Sequence, residues 1–181
     1  MLGKREIMNK KLIDIAIERL SYQLIEKHNK FESSILIGLQ PRGAFLCKRV
    51  LKKLKFLLPT IDVKSGNLDI SFYRDDLMRR DHPIEPDIMD INLSFEDKNI
   101  ILVDDVLFTG RSIRSALDAI LAFGRPKTVE LLTLINRRFS RHLLIEPTYV
   151  GKTIDALSEE KVIVEWKELH GIDRVLMKKN T

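Results

Sequence analysis

Apolar residues recur at helical spacing from Lys10 to His28, where Leu12, Ile13, Ile15, Ala16, Ile17, Leu20, Leu24 and Ile25 alternate with charged positions. That period gathers the apolar side chains onto one stripe and predicts an amphipathic helix. Ser34–Leu39, SILIGL, is a short apolar run and reads as a buried strand. Helical spacing returns over Gly43–Leu57, and Ile61–Phe72 alternates apolar and polar residues as strands do. The stretch from Tyr73 to Asp90 carries two prolines and many charges. It predicts a long exposed loop, of a length commoner in functional lids than in connectors. Asn99–Val103 is again a buried strand, Ser112–Phe123 is a helix stopped by Gly124 and Pro126, and Thr128–Ile135 is a further strand. Shorter strands are expected at Thr148–Val150 and Lys161–Val164.

Strands and helices in this alternation predict right-handed crossovers and an α/β fold, a central mainly parallel sheet flanked by helices on both faces. No repeat, low-complexity tract or Gly/Ser linker interrupts the chain, so residues 1–181 read as a single domain. Ligands of such sheets bind beyond the carboxyl ends of the strands, which directs attention to the residues after Leu39, Val103 and Ile135.

Hydrophobic residues make up 44% of the chain and charged ones 31%, which excludes intrinsic disorder but names no function. No apolar run reaches the roughly 18 residues of a membrane span, and the start MLGKREIMNKKL lacks the apolar block of a secretory signal, so a cytoplasmic protein is expected. Cys47, within AFLCKRVLKKL, reads as a buried helix thiol, with no support for a disulfide or zinc. The formal net charge of +5 suits anionic partners, either a phosphorylated small molecule or nucleic acid. Basic residues gather at Arg137, Arg138, Arg141 and His142, and again at Lys178 and Lys179, which read as a tail.

After the strand ending at Val103 come Asp104, Asp105, Val106, Leu107, Phe108, Thr109, Gly110, Arg111 and Ser112, and then a helix. A helix N-terminus offers unpaired N–H groups and a positive dipole end, Gly110 allows close backbone approach, and the Thr109 and Ser112 hydroxyls add donors. The loop suits a phosphate monoester. Two carboxylates beside it suit hydroxyl groups or a divalent cation on the same ligand, and a sugar phosphate that chelates magnesium supplies both. Phosphoribosyl pyrophosphate (PRPP) is such a molecule.

The run VDDVLFTGRS resembles the PRPP-binding signature of type I phosphoribosyltransferases, and the whole chain most resembles the PyrR family of pyrimidine operon attenuation regulators, which are also uracil phosphoribosyltransferases. The resemblance implies the type I fold with a small hood, here the segments around Tyr149 to Val164, and a mobile lid near Tyr73 to Asp90. It implies transfer from PRPP to uracil, giving UMP and pyrophosphate, with Mg2+ carried mainly by PRPP rather than by a protein metal site. It also implies a homodimer or higher homo-oligomer, and messenger RNA as a further partner that Arg137, Arg138, Arg141 and Lys152 could meet.

By the same resemblance Asp104 and Asp105, at an exposed strand end, orient the ribose and stabilise positive charge on it, while Thr109 to Ser112 bind the 5'-phosphate. Gln40, Pro41, Arg42 and Gly43 form the pyrophosphate loop, with Arg42 on the departing pyrophosphate and a cis bond expected between Gln40 and Pro41. Guanidinium pairs with phosphate in bidentate fashion, which suits Arg42 to a diphosphate. GNLDISFYRDDL brings Tyr73 and Arg74 toward the reacting sugar, and Arg137 and Val162 match positions around the nucleotide. Hypoxanthine-type enzymes carry an acidic residue three positions after the second carboxylate; here that residue is Phe108, which cannot act as a base. Asn136 and Arg138-Phe139 depart from the family's Asp and Gly-His, and Thr153 and Asp155-Ala156-Leu157 depart further along. A phosphoribosyltransferase for another base, and a regulator that senses PRPP or UMP with little turnover, therefore stand beside the uracil enzyme.

Overall fold

The computed structural model describes residues 4–70, 94–139, 141–157 and 159–179. The lid expected at Tyr73 to Asp90, with Tyr73 and Arg74, lies outside them. The strands β1 (Lys4–Asn9), β2 (Ser34–Leu39), β3 (Lys64–Leu68), β4 (Asn99–Leu107), β5 (Thr128–Arg138), β6 (Tyr149–Asp155), β7 (Glu160–Glu165) and β8 (Arg174–Lys179) alternate with α1 (Lys10–His28), α2 (Arg42–Leu57), α3 (Arg111–Ala122) and the short α4 (Lys167–His170).

Five strands form a sheet in the order β3-β2-β4-β5-β6, and every pairing in it is parallel. The expected α/β architecture is thus present. The central strands are apolar on both sides because both faces are covered. On β2 and β4, Leu36, Ile101 and Val103 point into a core shared with Leu20 and Leu24 of α1 and Leu46 and Val50 of α2. Ile35, Ile37, Ile100 and Leu102 point into the opposite core with Ile113, Ala116 and Ile120 of α3. Cys47 is buried in α2, and burial pushes its thiol up to about 12, so it is an inert packing group.

Several boundaries differ from the sequence pattern. The alternation over Ile61–Phe72 yields, among the described residues, a strand at Lys64–Leu68. β4 does not stop at Val103 but continues to Leu107, because β5 keeps pairing with it: Asp104 stands opposite Thr133, and Leu107 opposite Asn136. β6 is longer than expected, extended to Asp155 by its pairing with β5.

The hood is also built differently. β6 is the edge of the main sheet, whereas β7 belongs to a separate antiparallel sheet ordered β1-β8-β7, drawn from both ends of the chain. Lys178 and Lys179 are therefore no tail but the end of the central strand of that sheet. Its inner face places Met8, Val162, Val164, Val175 and Met177, with the fully buried Trp166, in the same core as α1 and α2. Arg49 of α2 clamps this second sheet to the first. Its guanidinium lies 4.6 Å from the Trp166 ring centroid and donates to Asp173 and Glu168, each at 2.7 Å.

Val175, Leu176 and Met177 are all buried. Burying three such side chains contributes on the order of 6 kcal/mol, comparable with the entire net stability of many domains. A chain ended after Ile172 is thus expected to lose cooperative thermal unfolding, as read by circular dichroism, whereas loss of residues 180–181 alone should leave the melting temperature unchanged.

Candidate active site

A cleft of about 300 Å³ lies where the carboxyl end of β4 passes into α3, lined by Asp104, Val106, Phe108, Thr109, Gly110, Arg111 and Ser112 among others. Between β4 and α3 the chain turns at Gly110, whose φ of 89° lies in the left-handed region that suits glycine. Gly110 is also the N-cap of α3 and has no side chain to cap it, the Arg111 N–H donates only a long 3.4 Å bond to the Thr109 hydroxyl, and no acidic residue occupies the first turn. The positive end of α3 faces the cleft without an internal anion, a ready site for an external one.

Asp104 is half-buried and Asp105 buried, with Asp105 Oδ2 lacking any hydrogen-bond partner among the described residues. This corrects the expectation that both carboxylates sit at an exposed strand end, and the cause is the continued β4–β5 ladder. Burial, reinforced by the charge of Asp105, raises the Asp104 carboxyl well above the usual carboxylate range. Burial likewise pushes Asp105 up to about 6, with the positive charge of Arg42 pulling the other way. Asp104, which lines the cleft, can accept a hydrogen bond from a ligand hydroxyl or face a cation, while the unpartnered Asp105 oxygen beside it is sealed from solvent.

Arg42 is held beside this pair by the start of α2. A Cβ on Gly43 would lie only 2.3 Å from the Val103 carbonyl oxygen and 3.0 Å from Asp104 Cα, so only glycine lets the helix start press onto the end of β4. Pro41 is the N-cap, Gln40–Pro41 is cis, and the Gln40 N–H continues the sheet by donating to the Leu68 carbonyl. Gln40, Pro41, Arg42 and Gly43 thus sit at the β2 end, adjacent to the acidic pair.

Phe108 is half-exposed in the cleft, and the guanidinium of Arg137 covers its ring at 4.0 Å from the centroid. Arg137 is buried at the β5 end and donates to the Leu157 carbonyl at 3.2 Å. Val162 is not brought to the cleft, because its side chain lies in the core of the second sheet.

The basic cluster read from the sequence as a nucleic-acid face disperses. Arg137 is internal, Arg138 is ion-paired to Asp155 at 2.6 Å, and Lys152 reaches the Ile7 carbonyl. Arg141 turns inward to the Phe108 carbonyl and to Asn136 Oδ1. The sequence places Asn136 at a strand end beside the site but offers no sign that Arg141 reaches it. Their spacing carries no recognisable motif, and only the return of the chain across the loop joins them.

Residues 4–168 match the phosphoribosyl transferase domain model. Relatives described as the bifunctional protein PyrR align almost end to end. That of Enterococcus faecalis is 40% identical over 98% of both chains, that of Oceanobacillus iheyensis 41% over 97% of both, and that of Clostridioides difficile 39% over 98% of this chain and 99% of the relative. Among solved structures, a hypoxanthine phosphoribosyltransferase of Trypanosoma cruzi superposes with a TM-score of 0.73 at 13% identity, covering 98% of this chain and 97% of its own. One from Staphylococcus aureus gives 0.71 at 20%, covering 98% and 92%. These structures share the fold.

The raised carboxyls carry a stability consequence with a definite sign. An unfolded aspartate titrates near its ordinary 3.8, and folded Asp105 near 6. Between those values the folded state binds more protons, so stability falls as pH rises through the window and stays reduced above it. Asp105→Asn should therefore raise the melting temperature at pH 7.5 by several degrees, corresponding to on the order of 2 kcal/mol, with the gain disappearing below pH 4. Thermal melts at the two pH values check this.

Proposed function

The chain belongs to the PyrR branch of the phosphoribosyl transferase domain family and is a PRPP-dependent phosphoribosyltransferase, and from that premise we propose that it converts uracil and PRPP to UMP and pyrophosphate. One observation carries the site assignment: a buried acidic pair at the end of β4 stands directly before the uncapped N-terminus of α3, with Arg42 beside it.

In this reading Thr109 to Ser112 hold the 5'-phosphate through backbone N–H groups and hydroxyls. Asp104 and Asp105 accept hydrogen bonds from the ribose hydroxyls and stabilise the positive charge that grows on the ring as the bond from C1' to the pyrophosphate oxygen breaks. Arg42 pairs with the departing pyrophosphate. A uracil ring nitrogen then bonds to C1' as its N–H proton passes to the departing pyrophosphate, completing the exchange. Phe108, apolar and backed by Arg137, offers the base a stacking face and no proton acceptor.

No group of three or more His, Cys, Asp or Glu side chains converges among the described residues. The buried, unpartnered Asp105 oxygen and the Asp104 carboxyl on the cleft wall fit a hydroxyl or a cation brought by the ligand, so Asp104 and Asp105 are the residues that would face magnesium held mainly by PRPP. When bound, magnesium neutralises diphosphate charge and eases its departure.

The family relationship and the positive net charge support a second role as an RNA-binding regulator. The inward turn of Arg141 withdraws it from any RNA surface, whereas Arg138 stays exposed beside Asp155. Self-association is part of the proposal too, supported by the exposed apolar Leu12, Ile15 and Tyr22 on α1. Residues 1–181 act as one domain, working in the cytosol where PRPP is made.

Pyrophosphate release should be measured with PRPP, magnesium and each of uracil, hypoxanthine, guanine, adenine and orotate. Uracil alone is expected to support turnover, and a purine that outpaces it would overturn the base assignment. Asp104→Asn with Asp105→Asn should abolish release while the chain stays folded. RNA affinity, in gel shifts at two salt concentrations, should fall steeply with salt, because phosphate contacts release counterions.

A further inference from the structure

The segment that leaves β5 doubles back over the loop before α3. Arg141, half-buried, sends one guanidinium nitrogen to the Phe108 carbonyl and another to Asn136 Oδ1 at 2.6 Å. The His142 N–H donates to the Thr109 carbonyl at 3.1 Å. Ile145 Cδ1 and Leu143 Cβ stand 3.2 and 3.5 Å from where a Cβ on Gly110 would be, and Ile145 packs against the core under α3. Three successive loop residues are therefore gripped by one short strap, and the strap is tied to the end of β5 through Asn136.

Immediately beyond the gripped residues lies the uncapped first turn of α3. We infer that Arg141 is a positioning residue: through Asn136 and the Phe108 carbonyl it sets the 5'-phosphate loop in its binding conformation before substrate arrives. The inference rests on the phosphoribosyltransferase reading above and assigns no ligand of its own. Arg137 meets the same loop differently, covering the Phe108 ring and donating to the Leu157 carbonyl.

The chemistry favours arginine over any other residue. Its planar fork can serve two acceptors at once, whereas an ammonium on a flexible stem is a point donor. Hydrogen bonds from a charged donor are also stronger than neutral ones. Without the fork the loop must be ordered at the moment of binding, and that entropy is subtracted from affinity. The 5'-phosphate does not react, so it is held alike in ground and transition states. Loss of its preset loop should then appear in KM for PRPP and hardly in kcat.

The test has two readouts on wild type, Arg141→Gln, Arg141→Lys, Asn136→Leu and the Arg141→Gln/Asn136→Leu double variant. One is steady-state kinetics with PRPP varied; the other is amide hydrogen exchange of residues 107–113 in the substrate-free protein. Arg141→Gln is expected to raise KM for PRPP about tenfold with kcat within about twofold. Asn136→Leu should raise it less, Arg141→Lys should rescue only in part, and the double variant should be no worse than Arg141→Gln, because both changes cut one relay. Exchange should quicken across 107–113 in Arg141→Gln while β4 and β5 stay protected. A wild-type KM and loop exchange in Arg141→Gln would overturn the inference. So would a joint fall of kcat and melting temperature with faster exchange throughout, which marks a merely structural residue. If the wild type releases no pyrophosphate, the transferase reading fails by itself, and the substrate-free exchange still decides the role of Arg141.

Discussion

Asp104 and Asp105 occupy successive positions near the end of a strand covered on both faces, and most of what surrounds them limits the cost of that placement. Burial alone favours the neutral acids. The opposing influence is positive charge, supplied within the chain by Arg42 and by the N-terminal end of α3 just beyond the loop. Arg42 can be close only because Gly43 lets α2 touch the backbone of β4. The free protein thus holds an acidic pair incompletely compensated, and a ligand that brings hydroxyl donors and developing positive charge completes it. This is stability given up at a functional site, a common trade in enzymes.

The rest of the fold serves to keep three strand ends in register. The parallel ladder fixes Asp104 against Thr133 and Leu107 against Asn136, so Arg137 arrives at the level of Phe108, whose ring it covers. The second sheet, closed by both ends of the chain, holds the β6–β7 connection whose Leu157 carbonyl receives Arg137. Arg49 links that sheet to α2, the same helix that begins with Arg42. The two sheets are therefore coupled through elements that both reach the cleft.

How much of this was legible in the sequence varies with the distance over which information acts. Helix α1 and strand β2 follow from local periodicity and their limits agree closely with the structure, whereas the loop expected from Asp104 begins only after Leu107. Strand β1 was missed because KREIMN shows neither alternation nor an apolar run, and it becomes a strand only by pairing with residues from the far end of the chain. Lys178 and Lys179 read as a tail for a related reason, since the strand they end is held by pairing with β1 and β7. The burial of Asp105 depends on β5 continuing beside it, and the inward turn of Arg141 on an acceptor at Asn136 and a carbonyl at Phe108. Charge counting along the chain assigns such an arginine to the surface, since nothing in the sequence reports that its partners face it.

The central claim is that the raised carboxyls are the groups that meet the ribosyl ligand, and proton linkage tests it most directly. Calorimetric titration of magnesium–PRPP at pH 6, in buffers of different ionisation enthalpy, counts the protons exchanged on binding. Comparison with Asp105→Asn removes the contribution of the phosphates themselves. If Asp105 must ionise to receive the ligand, the wild type should release protons that the variant does not, and the difference should vanish by pH 8. Equal proton exchange in the two proteins at pH 6, with PRPP bound by both, would contradict the account.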